Sequence, residues 1–113
     1  MSFQFCRLLW WLLVAHALSD VVGQSERMAK YKRRAYWQEQ GVRPAHWGYW
    51  LLAHGLLNGL GVALVTGKWW LGVCETVAHA LIDWGKCEEH YNVHIDQFLH
   101  LACKVSWAWL AIS

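Results

Sequence analysis

The chain has little of what a soluble enzyme or a secreted domain usually carries. Only 16% of its 113 residues are charged, and proline occurs once, at Pro44. The four cysteines, Cys6, Cys74, Cys87 and Cys103, form no CxxC pair. A disulfide framework is therefore not expected, and a thiolate metal site lacks its spacing signature. In apolar runs a free cysteine acts as a small hydrophobe. There is no P-loop, nucleophile elbow or zinc-finger spacing, so the usual motifs name no chemistry. No internal repeat or low-complexity tail marks a second unit, and one domain is the expectation for this length.

Apolar residues are abundant. They make up 57% of the chain, ten of them Trp. Trp favours membrane–water interfaces, where its ring is buried and its indole N–H stays wet. The basic residues cluster: Arg27, Lys30, Lys32, Arg33, Arg34 and Arg43 fall between two apolar stretches. This pattern points to a membrane protein, although the mean hydropathy of +0.16 is modest for one. The N-terminal run FQFCRLLWWLLVAHALSDVVG could imitate a signal peptide, with Arg7 as a weak basic region and AHALSD as a cleavage site. Its paired Trp residues, and a His16–Asp20 spacing that recurs later, favour a retained helix.

The pattern predicts an all-α fold: an integral membrane four-helix bundle with helices at about 3–22, 46–66, 69–84 and 93–112. The second is the clean membrane span, with no Asp, Glu, Lys or Arg between Arg43 and Lys68. The third is short for a crossing and must tilt, thin the bilayer or borrow flanking residues. The connector GQSERMAKYKRRAYWQEQGVRP reads as a helix capped by Ser25, with Glu26 in its first turn and Gly41 and Pro44 ending it. Its Lys/Arg excess places it in the cytoplasm, and both termini outside. Met28, Tyr31, Tyr36 and Trp37 would lay it on anionic headgroups; alternatively it is a solvated linker that only sets topology. It is too short and too close to the membrane to suggest nucleic acid, so the bilayer is the expected partner.

This topology brings separate motifs to one level. His16 and Asp20, His79 and Asp83, and Asp96 and His100 are each four residues apart, on one face of a helix. The order reverses in the last helix, and so does its direction. All three Asp fall near the cytoplasmic boundary and all three His one turn deeper, with His54 at a similar depth. Ionisable groups inside a bilayer are costly and normally face the bundle interior. Carboxylate–histidine metal sites in bundles are built this way. His16, Asp20, His54, His79, Asp83, Asp96 and His100 are therefore the expected ligands of a divalent ion, with Zn, Mn, Fe or Ni better suited than Ca or Mg. Seven candidates exceed one coordination shell, so some orient the ligands, or two metals bind. The same residues also fit a metal-free proton or ion pathway, or polar contacts that lock helices together. Haem ligation needs no aspartates and is the weaker match. Glu75 and Lys104 share a depth near the midplane and are expected to pair; alternatively Glu75 is a general base and Lys104 an electrostatic clamp. His46, His90 and His94 are expected at the interface.

The segments AHALSDVVGQSERMAKYK, HALIDWGKC and HIDQFLHLACK resemble the family known as domain of unknown function 3307. The resemblance covers nearly the whole chain and rests on His16, Asp20, Gln24, His79, Asp83, Lys86, Asp96, Gln97 and His100. It extends less well to the segment before His46 and to the second helix, which carries His54. It implies a small membrane protein of bacteria or their phages, in the inner membrane, and it supplies no activity.

The chemistry of the residues gives the expected function. It is a metal-dependent hydrolase of a membrane-associated substrate, a lipid phosphoester or an acyl chain, with Asp20, Asp83 or Asp96 taking the proton from water. The alternatives are an oligomeric ion or proton channel or transporter, acting as a homo-oligomer, and a non-enzymatic accessory protein of the envelope. Few polar residues beyond Asn58, Lys104 and Ser106 could continue a path to the outer side.

Overall fold

The computed structural model describes residues 2–22, 24–41 and 45–113, and among them every regular element is helical. α1 spans Phe3–His16 and continues as a π-helical stretch, Ala17–Val22. Two short helices follow, α2 (Glu26–Tyr31) and α3 (Arg34–Glu39). Three long ones complete the chain: α4 (Ala45–Thr66), α5 (Trp69–Cys87) and α6 (Val93–Ile112). The coarse expectation of an all-α fold with four long helical segments is met.

Three boundaries differ from the expectation, each for a local reason. The end of the first helix is wound as a π-helix, the wider turn that often marks a functional position. The connector is two helices rather than one. Ser25 does cap α2, its hydroxyl accepting from Met28 N at 3.1 Å. The chain then turns at Lys32 and Arg33 and ends α3 at Gly41, whose φ is +72°. Pro44 lies outside the described residues. Finally, α5 runs to Cys87 rather than Trp84. The Tyr91 side chain packs on Gly85, where a Cβ would not fit, and its hydroxyl donates to Ile82 O. That contact holds the last turn, and at 1.5 Å per residue the helix is about 28 Å long.

Each long helix touches two or more of the others: α1 packs on α4 and α6, and α5 packs on α4 and α6. The α4–α5 hairpin is the tightest pair. A Cβ on Gly59 would collide with the Thr76 hydroxyl and come within 2.5 Å of Gly72 O, so only glycine permits the approach. The connector docks on α4 through Tyr31 against Trp50 and Trp37 against His46, with ring centroids 5.0 and 5.3 Å apart. Tyr31 and Trp37 thus cover α4, while Arg27, Lys30, Arg33 and Arg34 are exposed.

The interior divides lengthwise. At one end Phe5, Leu12, Val62, Leu71 and Ala108 form an apolar core, flanked by Leu8, Leu9, Val65, Trp107, Ala111 and Ile112. Toward the other end the buried residues are Asp20, Lys32, His54, Asn58, Glu75, His79, Asp83, Asp96, His100 and Lys104. The outer surface is largely apolar, including Leu52, Leu56, Leu60, Leu64, Val73, Val77, Leu81, Phe98, Leu101 and Trp109. Among the described residues one helix, over His46–Thr66, is long and apolar enough by composition to cross a membrane.

Candidate metal centre

The residues singled out by spacing converge. The α1 extension contributes Asp20, α4 His54, α5 Glu75, His79 and Asp83, and α6 Asp96, Gln97, His100 and Lys104. The imidazoles of His79 and His100 stack with centroids 4.2 Å apart. His54 lies 4.9 Å from His79, and His16 lies 5.2 Å from His100. Four helical segments thus present one histidine each to a common point, including His54, which the resemblance carried least well.

Asp20 is the hub. The wide π turn brings it inward, where its Oδ1 accepts from His54 Nε2 at 2.7 Å and its Oδ2 from Gln97 Nε2 at 3.0 Å. His79 Nε2 is 3.3 Å from Oδ1, and His16 Nε2 is 3.5 Å from Oδ2. Gln97 ties the site together. Its amide nitrogen also donates to Asp96 Oδ2 at 3.0 Å, and its Oε1 accepts from His16 Nε2 at 3.0 Å. Three groupings have ligand atoms within 4.8 Å of one another: Asp20–His54–His79, Glu75–His79–His100 and Asp20–Asp96–His100.

The tautomer of His79 is set from the other side. Its Nδ1–H donates to Glu75 Oε1 at 3.2 Å, which leaves the Nε2 lone pair facing Asp20. Glu75 is itself held by Lys104 Nζ and by Trp107 Nε1, the latter at 2.6 Å. The Glu75–Lys104 pair therefore forms as expected, fully buried across α5 and α6. Glu75 orients His79 and neutralises Lys104.

Asp83 and His16, both expected as ligands, are held by other partners. The Asp83 carboxylate is taken by two ammonium groups, Lys32 Nζ at 2.6 Å and Lys86 Nζ at 3.3 Å. It belongs to none of the three groupings, and an oxygen neutralised by lysines is in any case a poor metal donor. His16 is likewise outside them, its Nε2 spent on Gln97. Lys32 was legible only as one charge in a basic run, yet it is 2% exposed, and its Nζ donates to Gln24 Oε1 at 2.5 Å. No spacing signal separates it from Lys30 or Arg33. His46, His90 and His94 are exposed, as expected of interfacial residues. Outside the core, burial first and then Asp96 and Asp83 push the Tyr91 phenol above its usual range, which keeps it a donor to Ile82.

Two features fit a cation. Among the described residues no Lys or Arg is within ion-pair distance of Asp20 or Asp96, so two buried carboxylates face only imidazoles and an amide. Several buried ligand atoms have no hydrogen-bond partner: His79 Nε2, Asp96 Oδ1, and both ring nitrogens of His100. Orphaned atoms of this kind call for an explanation such as a bound ion. A cavity of about 390 Å³, lined by Asp20, Gln24, Lys86, Val93 and Gln97, opens the centre to the surface beside the connector. No curated protein and no solved structure matches the chain. Residues 8–112 match the family described as "protein of unknown function (DUF3307)", and the chain belongs to that family.

Proposed function

We propose that the protein is a multi-pass membrane protein, a four-helix bundle whose centre binds a divalent metal ion and hydrolyses a membrane-associated ester. The burial pattern supports membrane embedding. Charged and polar side chains are inside and large apolar ones outside, the reverse of a soluble protein. The charges Glu75 and Asp83 of α5 and Asp96 and Lys104 of α6, which lower the hydropathy of those helices, are buried inside. The connector and the 88–92 loop meet at one end, where Arg34 Nε reaches Glu88 Oε1 at 2.7 Å, consistent with one cytoplasmic face.

The contact between His79 and Asp20 carries the metal reading. With Nδ1–H given to Glu75, His79 Nε2 and a carboxylate oxygen face each other at 3.3 Å. A bare Nε2 at that distance repels the oxygen unless a cation lies between them, either a proton on Nε2 or a metal ion. A divalent ion held by Asp20 and His79, with His100, which groups with each of them in a different trio, turning in as a third ligand, would remove the repulsion, satisfy the orphaned His100, and balance the charges of Asp20 and Asp96. Such an ion supplies an acidified water and polarises the scissile bond. Asp96 Oδ1, buried and 3.4 Å from His100 Nε2, takes the proton as the water oxygen adds to phosphorus or carbonyl carbon. The ester bond breaks, and the proton passes to the departing alkoxide.

The contacts Lys104–Glu75–His79–Asp20 would also serve a proton pathway. The apolar core beyond Lys104 favours a centre open at one end over a through-channel. Metal analysis of the detergent-purified chain tests the reading. Bound divalent metal is expected in the wild type and in His90→Ala, and its loss in His79→Ala and His100→Ala. Hydrolysis of a labelled phospholipid should stop with chelator and in Asp96→Asn. Metal-free wild-type protein with a native fold would favour the proton pathway.

A further inference from the structure

We infer that the mouth of the centre binds a phosphodiester monoanion, held by Lys86 and the Gln24 amide; this rests on the metal reading above. The charges at the mouth do not cancel. Lys32 and Lys86 share the single carboxylate of Asp83, which leaves one positive charge in excess. Lys86 is the looser partner, at 3.3 Å against 2.6 Å, and its side chain is 28% exposed against 2% for Lys32. An ammonium has three donors, and Lys86 uses one on Asp83.

The cavity walls divide the work. Gln97 has its amide on both Asp20 and Asp96 and its carbonyl on His16, so it has nothing left for a ligand. Gln24 gives its Oε1 to Lys32, which leaves its N–H₂ as a donor at the mouth. Asp20 would repel an anion, except that a divalent ion cancels it together with Asp96. Anion binding should therefore need the metal.

The surplus of one charge selects the ligand class. A phosphodiester carries a single negative charge, whereas a monoester approaches two. Val93 lines the cavity and offers apolar surface to an ester substituent. Exposed Arg27 and Arg33 of the connector, close in sequence to Gln24 and Lys32, raise the local concentration of anions.

The test is calorimetric titration of the metal-loaded full chain in detergent with three probes: dimethyl phosphate, dihexanoylphosphatidylglycerol and acetate. Lys86→Gln should weaken dimethyl phosphate about tenfold, the effect of one charge-assisted hydrogen bond, with metal content unchanged. Lys86→Arg should recover most of the affinity. Arg7→Gln, which removes a charge beside a different cavity lined by Leu8, Trp11 and Leu64, should change nothing. Chelation should abolish binding. Tighter binding of the short-chain lipid supports a membrane headgroup as ligand, and equal binding supports a soluble phosphodiester. Acetate binding as tightly as dimethyl phosphate, or Lys86→Gln binding normally while metal is retained, overturns the inference and leaves the metal reading standing. Binding that survives chelation also overturns it. A wild-type chain that takes up no metal overturns the reading beneath it.

Discussion

The same four long segments build two unlike interiors. At one end Leu12, Val62, Leu71 and Ala108 fill space with side chains that need no partner. At the other, Asp20, Glu75, His79, Asp83, Asp96, His100 and Lys104 are as deeply buried, and each depends on directed contacts. The apolar end is defined by volume and tolerates replacement of similar size. The polar end is defined by charge and direction, so removing one member leaves another buried without a partner. One half closes the molecule, and the other gathers its ionisable groups. The two meet at Glu75, which accepts from Trp107 on the apolar side and from His79 on the polar side.

Breaking that junction should have the largest effect. Lys104→Met leaves Glu75 as a buried charge without its cation and should cost about 3–5 kcal/mol in denaturant unfolding from mixed micelles. It should also lower metal content, because Glu75 orients His79. The double variant Glu75→Gln/Lys104→Met should regain most of the stability. Unchanged stability in both single variants would contradict the pairing.

A cavity in the apolar half sharpens the contrast. Leu12→Ala should destabilise by about 2–4 kcal/mol, read in the same unfolding assay, while metal content stays at the wild-type level. Loss of metal there would mean that the halves are not separable. Gly59→Ala forces α4 from α5 at the Thr76 hydroxyl and should cost about 1–3 kcal/mol, again by unfolding. The smallest effect is expected for Tyr91→Phe, which removes the bond to Ile82 O and should cost about 1 kcal/mol. A larger loss would show that the last turn of α5 depends on that hydroxyl more than a single bond allows.

The two halves also differ in how legible they were. The apolar helices follow from composition and length alone, and their ends fell close to the expected positions. The His and Asp residues were legible because a spacing of four repeats on three helices and reverses with chain direction. The Glu75–Lys104 pair followed from depth. Distant chain segments supplied what was missed. The π turn at Asp20 has no local signature. Lys32 is an ordinary member of a basic run until the connector folds onto α4 and carries it to Asp83. Asp83 looked like the other two aspartates because spacing reports a face and a depth, and says nothing about which cation reaches the carboxylate first. Gln97 was visible as part of a motif, but its role required the positions of Asp20, Asp96 and His16 at once.

X-ray absorption at the metal edge of the purified chain tests the central claim most directly. The expected result is a first shell of nitrogen and oxygen near ~2.0–2.2 Å, with the outer-shell scattering of imidazole, reduced in both His79→Ala and His100→Ala. A sulfur shell, or a shell of oxygen alone that neither substitution changes, would contradict a metal held by Asp20, His79 and His100.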